Sequence, residues 1–314
     1  MTAICVEGLK KWFGPIHALD GLDLEVSSGT VFGFLGPNGA GKTTTIRILT
    51  GLARPSAGHA IVAGVEVGRG DGQLARQIGY LPEEPAFYPW MTPEEFLNYV
   101  GSIFGLRTFE CKARTAELLE LIGLENARKR RIGGFSRGMR QRLGLAQALV
   151  NHPQVIFLDE PVSALDPAGR RDVLNLITRL KGEATVFMST HILADVERVC
   201  DVVGIINQGR LVTEGRQETL MEQYALPLFE IEGVPGTEPA VQTWRDKLAD
   251  YPWFGSATIT DHTARIQVND LEAARTGLLD SISREGLAIN RFEVVRPSLE
   301  DVFLKLVGDE EAAL

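Results

Sequence analysis

The sequence predicts an α/β fold built on a mostly parallel sheet, followed by a second, smaller α+β domain. Three observations carry this reading. Short apolar runs alternate with helical segments from Ala3 to Ile206. One of those runs, Val31–Leu35, passes straight into a glycine-rich loop and then into a helical segment. Near Leu226–Pro239 the texture changes, with Pro227, Pro235, Gly236 and Pro239 close together, and a new order of elements begins.

Ala3–Glu7, Leu22–Val26 and Val31–Leu35 read as strands, with Gly29 at a turn between the last two. Thr43–Thr50 reads as a helix, and Gly51 stands where a C-cap belongs. Ile78–Leu81 is a further short strand. From about 92 to 148, Leu, Ile, Phe and Ala recur at helical spacing in Pro93–Phe104, Cys111–Ile122 and Gly138–Val150. This is a helical insert within the α/β domain. Strands return at Val155–Leu158, Thr185–Met188 and Val202–Ile206, separated by helical segments Pro167–Arg179 and Ile192–Cys200. Strand–helix alternation of this kind implies a largely parallel sheet.

Beyond it come strand Leu228–Glu232, helix Ala240–Ala249, strands Ala257–Thr260 and Arg265–Val268, helix Leu271–Glu285 and strand Ala288–Val294. That β-α-β-β-α-β order is the ferredoxin-like split pattern. A last helix is predicted at Leu299–Val307. The expected domains are 1–222, with the insert at about 92–148, and 223–314.

The 314 residues suffice for two domains, and 44% hydrophobic with 23% charged residues is the balance of an ordinary folded chain. The net charge of −9 weighs against nucleic acid as the main partner, because phosphate neutralisation needs a basic surface, although a local basic face is compatible with it. Cys5, Cys111 and Cys200 are far apart, odd in number and without metal-ligand spacing, which reads as free thiols in a reducing compartment. The first residues, MTAICVEGLKKWFG, lack a signal-peptide core. No apolar run reaches the roughly eighteen residues that a membrane helix needs, so a membrane role is expected to come through a partner.

The loop reads GPNGAGKTT: Gly36, Pro37, Asn38, Gly39, Ala40, Gly41, Lys42, Thr43 and Thr44. It fits GxxxxGK[ST] in the strand–loop–helix context that this motif requires. Glycines let backbone N–H groups close around phosphate oxygens, and the helix start adds positive potential. Lys42 can reach the terminal phosphates, and the Thr43 hydroxyl can face Mg²⁺. Val155–Leu158 ends in Asp159 and Glu160. Beside a phosphate loop, Asp159 is placed for the metal and Glu160 for orienting and polarising the attacking water. His191 follows the strand ending Ser189–Thr190, and reads either as a γ-phosphate contact or as a structural histidine. Gly133–Arg142, GGFSRGMRQR, reads either as a phosphate-binding helix start or as a simple N-cap with a basic solvated face.

Taken together these residues resemble the ATP-binding subunit of ABC transporters. The order matches that family: phosphate loop, helical insert, signature segment, acidic strand end, Asp166 within SALDP, then His191. The resemblance covers Ala3–Met221 and implies a P-loop NTPase fold of ABC type, with an antiparallel β subdomain beside the parallel core sheet. It implies an ATPase using ATP and Mg²⁺, with Lys42, Glu160 and His191 as catalytic residues and Thr43, Glu83 and Asp159 on the metal side. By position, Phe13 corresponds to the aromatic residue that stacks on adenine, with Trp12 as a neighbouring substitute. Ser136, Arg137, Gly138 and Met139 correspond to the signature that faces ATP on the opposite subunit, and Asp166 to the loop joining the two sites. The implied partners are a second copy of the subunit and an integral membrane permease, which would place the chain on the cytoplasmic face of the cell membrane.

Two departures stand out. The family signature LSGGQ is FSRGM here, and Glu83 stands where glutamine is common, so that a metal role and a plain loop residue are both open. These features, with the tail Pro297–Leu306 (PSLEDVFLKL), resemble the type-two exporter branch. Phe87, Tyr88, Trp90, Phe96 and Tyr99 read either as a groove for the permease or as the insert's own core. The main competing reading is a soluble ABC ATPase acting on nucleic acid or the ribosome; such chains tend to carry two ATPase domains or long coiled coils, and the sequence has neither. A different P-loop kinase or GTPase fits poorly with the signature and SALDP, and no guanine-recognition NKxD is present. A catalytically dead module fits poorly with Lys42, Asp159, Glu160 and His191 all in place.

Overall fold

The structure, a computed structural model, describes residues 1–306 except 71, 164, 225–226, 235, 237, 296–297 and 304–305, with the backbone alone at 224 and 238. It divides into two compact units, Met1–Gln217 and Glu218–Leu314.

The first unit opens with β1 (Thr2–Phe13) and β2 (Ile16–Ser27), which pair antiparallel. Both run further than their apolar stretches predict. The reason is that bulges between Val6 and Leu9 and between Lys11 and Trp12 break the alternation on which a sequence reading depends. After β3 (Val31–Leu35) come α1 (Lys42–Leu49), β4 (Ala57–Val62) and β5 (Val65–Glu66). These complete an antiparallel sheet in the order β2-β1-β4-β5.

Then follow α2 (Gln73–Gln77), β6 (Ile78–Leu81) and the helical insert of α3 (Pro93–Ile103), α4 (Thr108–Leu121) and α5 (Arg137–Leu149). Helix α3 starts where the sequence places it, because Thr92 and Glu95 form a reciprocal capping box ahead of Pro93. The chain continues through β7 (Val155–Asp159), α6 (Pro167–Arg179), β8 (Thr185–Thr190), α7 (Leu193–Val199), β9 (Val202–Asn207) and β10 (Arg210–Arg216).

The second sheet has the order β10-β9-β3-β8-β7-β6. All its pairings are parallel except that of β10 with β9. Every residue of β3, β7 and β8 is buried, as expected of strands covered on both faces. Phe32, Phe34 and Phe157 surround Phe187 with ring centroids 5.2–5.6 Å apart. Burying each ring contributes about 2–3 kcal/mol. The same core holds Ile4, Leu9, Leu22 and Leu24 from the antiparallel sheet and Ile46 and Leu49 from α1. Helix α1, which the glycine-rich loop enters, is thus packed into a core shared by two sheets.

The second unit begins within α8 (Gln217–Tyr224) and holds β11 (Leu228–Gly233), α9 (Glu238–Leu248), β12 (Phe254–Thr260), β13 (Thr263–Val268), α10 (Leu271–Glu285) and β14 (Ile289–Val295). The sheet order β12-β13-β11-β14, all antiparallel, is that of a ferredoxin-like fold. Its core centres on Phe229, Ile231, Trp244, Leu248, Ile266 and Leu278, and the Trp244 indole donates to Ser281 Oγ at 3.0 Å. Between the buried strand positions, Arg291 pairs with Glu230, Glu232 and Glu293, and Arg265 with Glu230 and Asp301. The predicted helix Leu299–Val307 falls partly outside the described residues; 299–303 are helical. Among the described residues no helix is long and apolar enough to cross a membrane.

Candidate active site

Four parallel strands deliver the site. β3 runs into the glycine-rich loop, β8 lies between β3 and β7, and β6 lies beyond β7. Their carboxyl ends carry, in turn, the loop, His191, Asp159 with Glu160, and Glu83. Ligands of open parallel sheets bind at such an edge.

The loop is shaped for backbone donors. Gly41, the N-cap of α1, has φ 110°, and a Cβ there would lie 2.6 Å from the Ala18 carbonyl oxygen. A Cβ on Gly36 would strike the Ile206 carbonyl. The loop therefore needs glycine at both places. Lys42 is buried, and its Nζ donates to the carbonyls of Gly36 at 2.7 Å and Pro37 at 3.2 Å. Burial pushes its ammonium below the usual lysine range, while the carboxylates of Glu160, Asp159 and Glu83 push it back up.

Asp159 is buried and accepts two hydroxyls on one oxygen: Ser189 Oγ at 2.6 Å and Thr43 Oγ1 at 3.3 Å. Burial raises its carboxyl above the usual range, and these two hydrogen bonds oppose the rise. Glu160 is also buried, with Oε1 3.8 Å from Lys42 Nζ. Its backbone sits at φ 47°, in the left-handed region that L residues seldom occupy. Its N–H bonds the carbonyl of Ser189 at 3.1 Å and the Ser189 hydroxyl at 3.2 Å. His191 Nδ1 stands 3.0 Å from each Glu160 carboxylate oxygen.

Between these groups lies a cavity of about 300 Å³, lined by Ala18, Asn38, Gly39, Gly41, Lys42, Thr43, Thr44, Glu83, Glu160 and His191. Lys42 and Thr43, Glu160, and His191, from three distant parts of the sequence, thus meet in one polar chamber. Among the described residues no cluster of three or more His, Cys, Asp or Glu side chains is arranged to hold a metal by itself. The Thr43 hydroxyl and Asp159 instead fit a hard cation that takes its remaining oxygens from phosphate and water.

Other sequence-predicted residues lie outside this chamber's lining. Phe13 ends β1, is 53% exposed, and has the Lys11 ammonium 4.9 Å over its ring. Ser136 is the N-cap of α5 and accepts the Met139 N–H at 3.2 Å. A Cβ on Gly138 would meet nothing nearer than Leu165, at 4.0 Å. Asp166 is the N-cap of α6 and accepts the Gly169 N–H at 3.2 Å.

The two departures from the family pattern are neighbours. Glu83, Glu84, Pro85, Arg137, Arg140 and Gln141 line a second cavity of about 220 Å³, with Arg137 Nη2 4.0 Å from Glu84 Oε1. The aromatic cluster divides. Phe96 is buried, edge-on to Phe87 at 5.1 Å, whereas Tyr88, Trp90 and Tyr99 are exposed, the Tyr88 ring standing 5.2 Å from Trp90 and 6.1 Å from Tyr99. Next to the insert, Leu52, Tyr80, Val100, Phe104, Gln147 and Asn151 contribute to a groove of about 240 Å³. Sequence reasoning did not single out Ser189 or Ala18. The signal available for Ser189 was a polar pair, Ser189–Thr190, closing a buried strand whose centre, Val186–Met188, is apolar.

Residues 19–163 match the ABC transporter family, and residues 215–307 match the C-terminal domain of DrrA1-3-like ATP-binding proteins. The chain is 40% identical to the ABC transporter ATP-binding protein YxlF of Bacillus subtilis (strain 168), over 97% of this chain and 99% of that one. It is 35% identical to the daunorubicin resistance ATP-binding protein DrrA3 of Streptomyces coeruleorubidus, over 98% and 97% of the two chains. With the bacitracin transport ATP-binding protein BcrA of Bacillus licheniformis it shares 34% identity over 98% of each chain. The solved structure of an ATP-binding subunit of an ABC transporter superposes with a TM-score of 0.65 at 32% identity, over 71% of this chain and 93% of that one. The chain therefore belongs to the ABC transporter ATP-binding proteins, and is a subunit that binds and hydrolyses ATP for an ABC transporter.

Proposed function

We propose that the chain powers export through a separate membrane permease, by ATP-dependent closure of two copies of itself. The observation that carries the reading is the convergence of Lys42, Thr43, Glu160 and His191 on one chamber, with Asp159 hydrogen-bonded to Thr43 at its wall. Export is supported by relatives named for daunorubicin resistance, bacitracin transport and Nod factor export.

In this reading the loop from Gly36 to Thr44 wraps the phosphates with backbone N–H groups, and Lys42 turns its ammonium from its own loop carbonyls to the terminal phosphates. Mg²⁺, when bound, supplies charge that neutralises the phosphate oxygens. Thr43 and Asp159 are the residues that would hold it, with Glu83 beside them. Glu160 accepts a hydrogen bond from the attacking water and orients it for in-line attack. His191 braces that carboxylate through Nδ1, which leaves Nε2 for the γ-phosphate. Phe13 stacks on adenine. Ser136, Arg137, Gly138 and Met139 of one copy complete the site of the other, and Asp166 lies on the loop between the two sites.

The half-exposed Tyr88, Trp90 and Tyr99, with the groove at Leu52 and Phe104, are the proposed permease contact, which would hold the chain on the cytoplasmic face of the membrane. The deciding experiment is Glu160→Gln. This variant should bind ATP as the wild type does, nearly stop releasing phosphate, and accumulate as a closed dimer on gel filtration with ATP. Phosphate release at the wild-type rate removes Glu160 from its role.

A further inference from the structure

Ser189 lies on β8, directly opposite Asp159 in the parallel register with β7, and is fully buried. A serine hydroxyl has one proton to give and lone pairs to receive. Here the proton goes to Asp159 Oδ1, at 2.6 Å, and a lone pair receives the Glu160 N–H, at 3.2 Å. The relay Glu160 N–H to Ser189 Oγ–H to Asp159 Oδ1 therefore runs in one direction only. Thr43 meets the same Oδ1 from the other side at 3.3 Å. With Oδ1 taken by two hydroxyls, Oδ2 is the oxygen left for a cation's shell. The Glu160 end of the relay is the residue in the left-handed conformation at φ 47°. One buried oxygen thus touches both carboxylate residues at the end of β7.

We propose that Ser189 is a positioning residue for ATP hydrolysis, its hydroxyl setting both the rotamer of Asp159 and the backbone of Glu160. This rests on the reading above, in which Asp159 serves Mg²⁺ and Glu160 the attacking water. The two ends of the relay are unequal. Glu160 keeps a second acceptor, the Ser189 carbonyl at 3.1 Å, when the hydroxyl is removed. Among the described residues, Asp159 keeps only the longer bond from Thr43. Loss of the hydroxyl therefore falls mainly on the metal side. Partners that orient a metal ligand from behind typically change affinity by about 10–100-fold.

The test uses the full chain with a non-hydrolysable ATP analogue. Nucleotide affinity is measured as a function of Mg²⁺ concentration and again in EDTA, with thermal melts to confirm folding. Ser189→Ala should raise the Mg²⁺ needed for half-maximal binding by about 10-fold and leave affinity in EDTA unchanged. Ser189→Thr, which keeps a hydroxyl, should restore most of the loss. An unchanged Mg²⁺ requirement in Ser189→Ala overturns the proposal. So does an equal loss in EDTA, which would make Ser189 a support of the loop, and so does equal impairment by Ala and Thr, which would make it packing alone. Asp159→Asn is run alongside: if it binds Mg²⁺ like the wild type, the metal assignment of Asp159 itself is wrong and the proposal falls with it.

Discussion

His191 presents Nδ1 to both carboxylate oxygens of Glu160, 3.0 Å from each, while its ring remains about half exposed. One face of the imidazole is thus committed to an internal carboxylate and the rest is open to the chamber. His191→Ala should lower kcat by about 100-fold, the low end of what a positioned acid–base group contributes. Nucleotide affinity should hardly move, because the loop is untouched. Steady-state phosphate release with a parallel binding titration checks this, and a rise in KM at unchanged kcat would contradict it.

Among the described residues, Lys42 and His191 are the basic side chains that line the chamber. Lys42→Ala removes the ammonium that holds the Gly36 and Pro37 carbonyls as well as the charge facing the phosphates. ATP affinity should fall by at least about 10-fold, since hydrogen bonds to charged groups each contribute about 1.5–3 kcal/mol. Equilibrium titration with a fluorescent nucleotide reads this directly, and wild-type affinity would count against the loop assignment.

Gly41→Ala should be worse than an ordinary loop substitution. The new methyl enters at φ 110° and meets the Ala18 carbonyl at 2.6 Å. Strained backbone of this kind costs about 1–3 kcal/mol, before the clash is counted. Thermal melts should show a lower Tm, and nucleotide binding should be lost. Gly39→Ala is the control: its added Cβ meets nothing within 4 Å, so its penalty is the φ of 86° alone.

Ser136→Ala tests whether the site is shared between copies. In a dimer mixed with wild type, hydrolysis should fall at the site that faces the altered signature and persist at the other. A mixed dimer with full activity at both sites would place Ser136 outside the reaction.

Most of the fold is legible in the sequence where local chemistry agrees with burial. Helices α6 and α10 occupy the predicted residues because Pro167 follows an Asp166 cap and Asp270 caps α10 ahead of Gly286 at its end. The buried strands β3, β7 and β8 are continuous apolar runs bounded by turns. Strands β4, β5 and β10 are not legible. β4 buries only Ala60 and Val62, β5 has two residues, and β10 lies at a sheet edge with no buried position, so none shows a period. In the site, the loop and the pair Asp159–Glu160 announce themselves by motif. Ser189 does not, because a serine in a buried strand looks the same whether its hydroxyl bonds a carbonyl or a metal-side carboxylate. Only the parallel register that sets it against Asp159 distinguishes the two.

Ser136 and Asp166, the residues assigned to face a second copy, begin helices α5 and α6, and each already receives the backbone N–H three residues on. The cap uses one lone pair of each side chain, contributes about 1 kcal/mol, and leaves the Ser136 proton and the second Asp166 oxygen for another partner. In the proposed dimer both groups would therefore already be held in place before the second copy arrives. Closing on nucleotide would then demand little further ordering of either side chain, and ordering is among the larger costs of bringing two surfaces together.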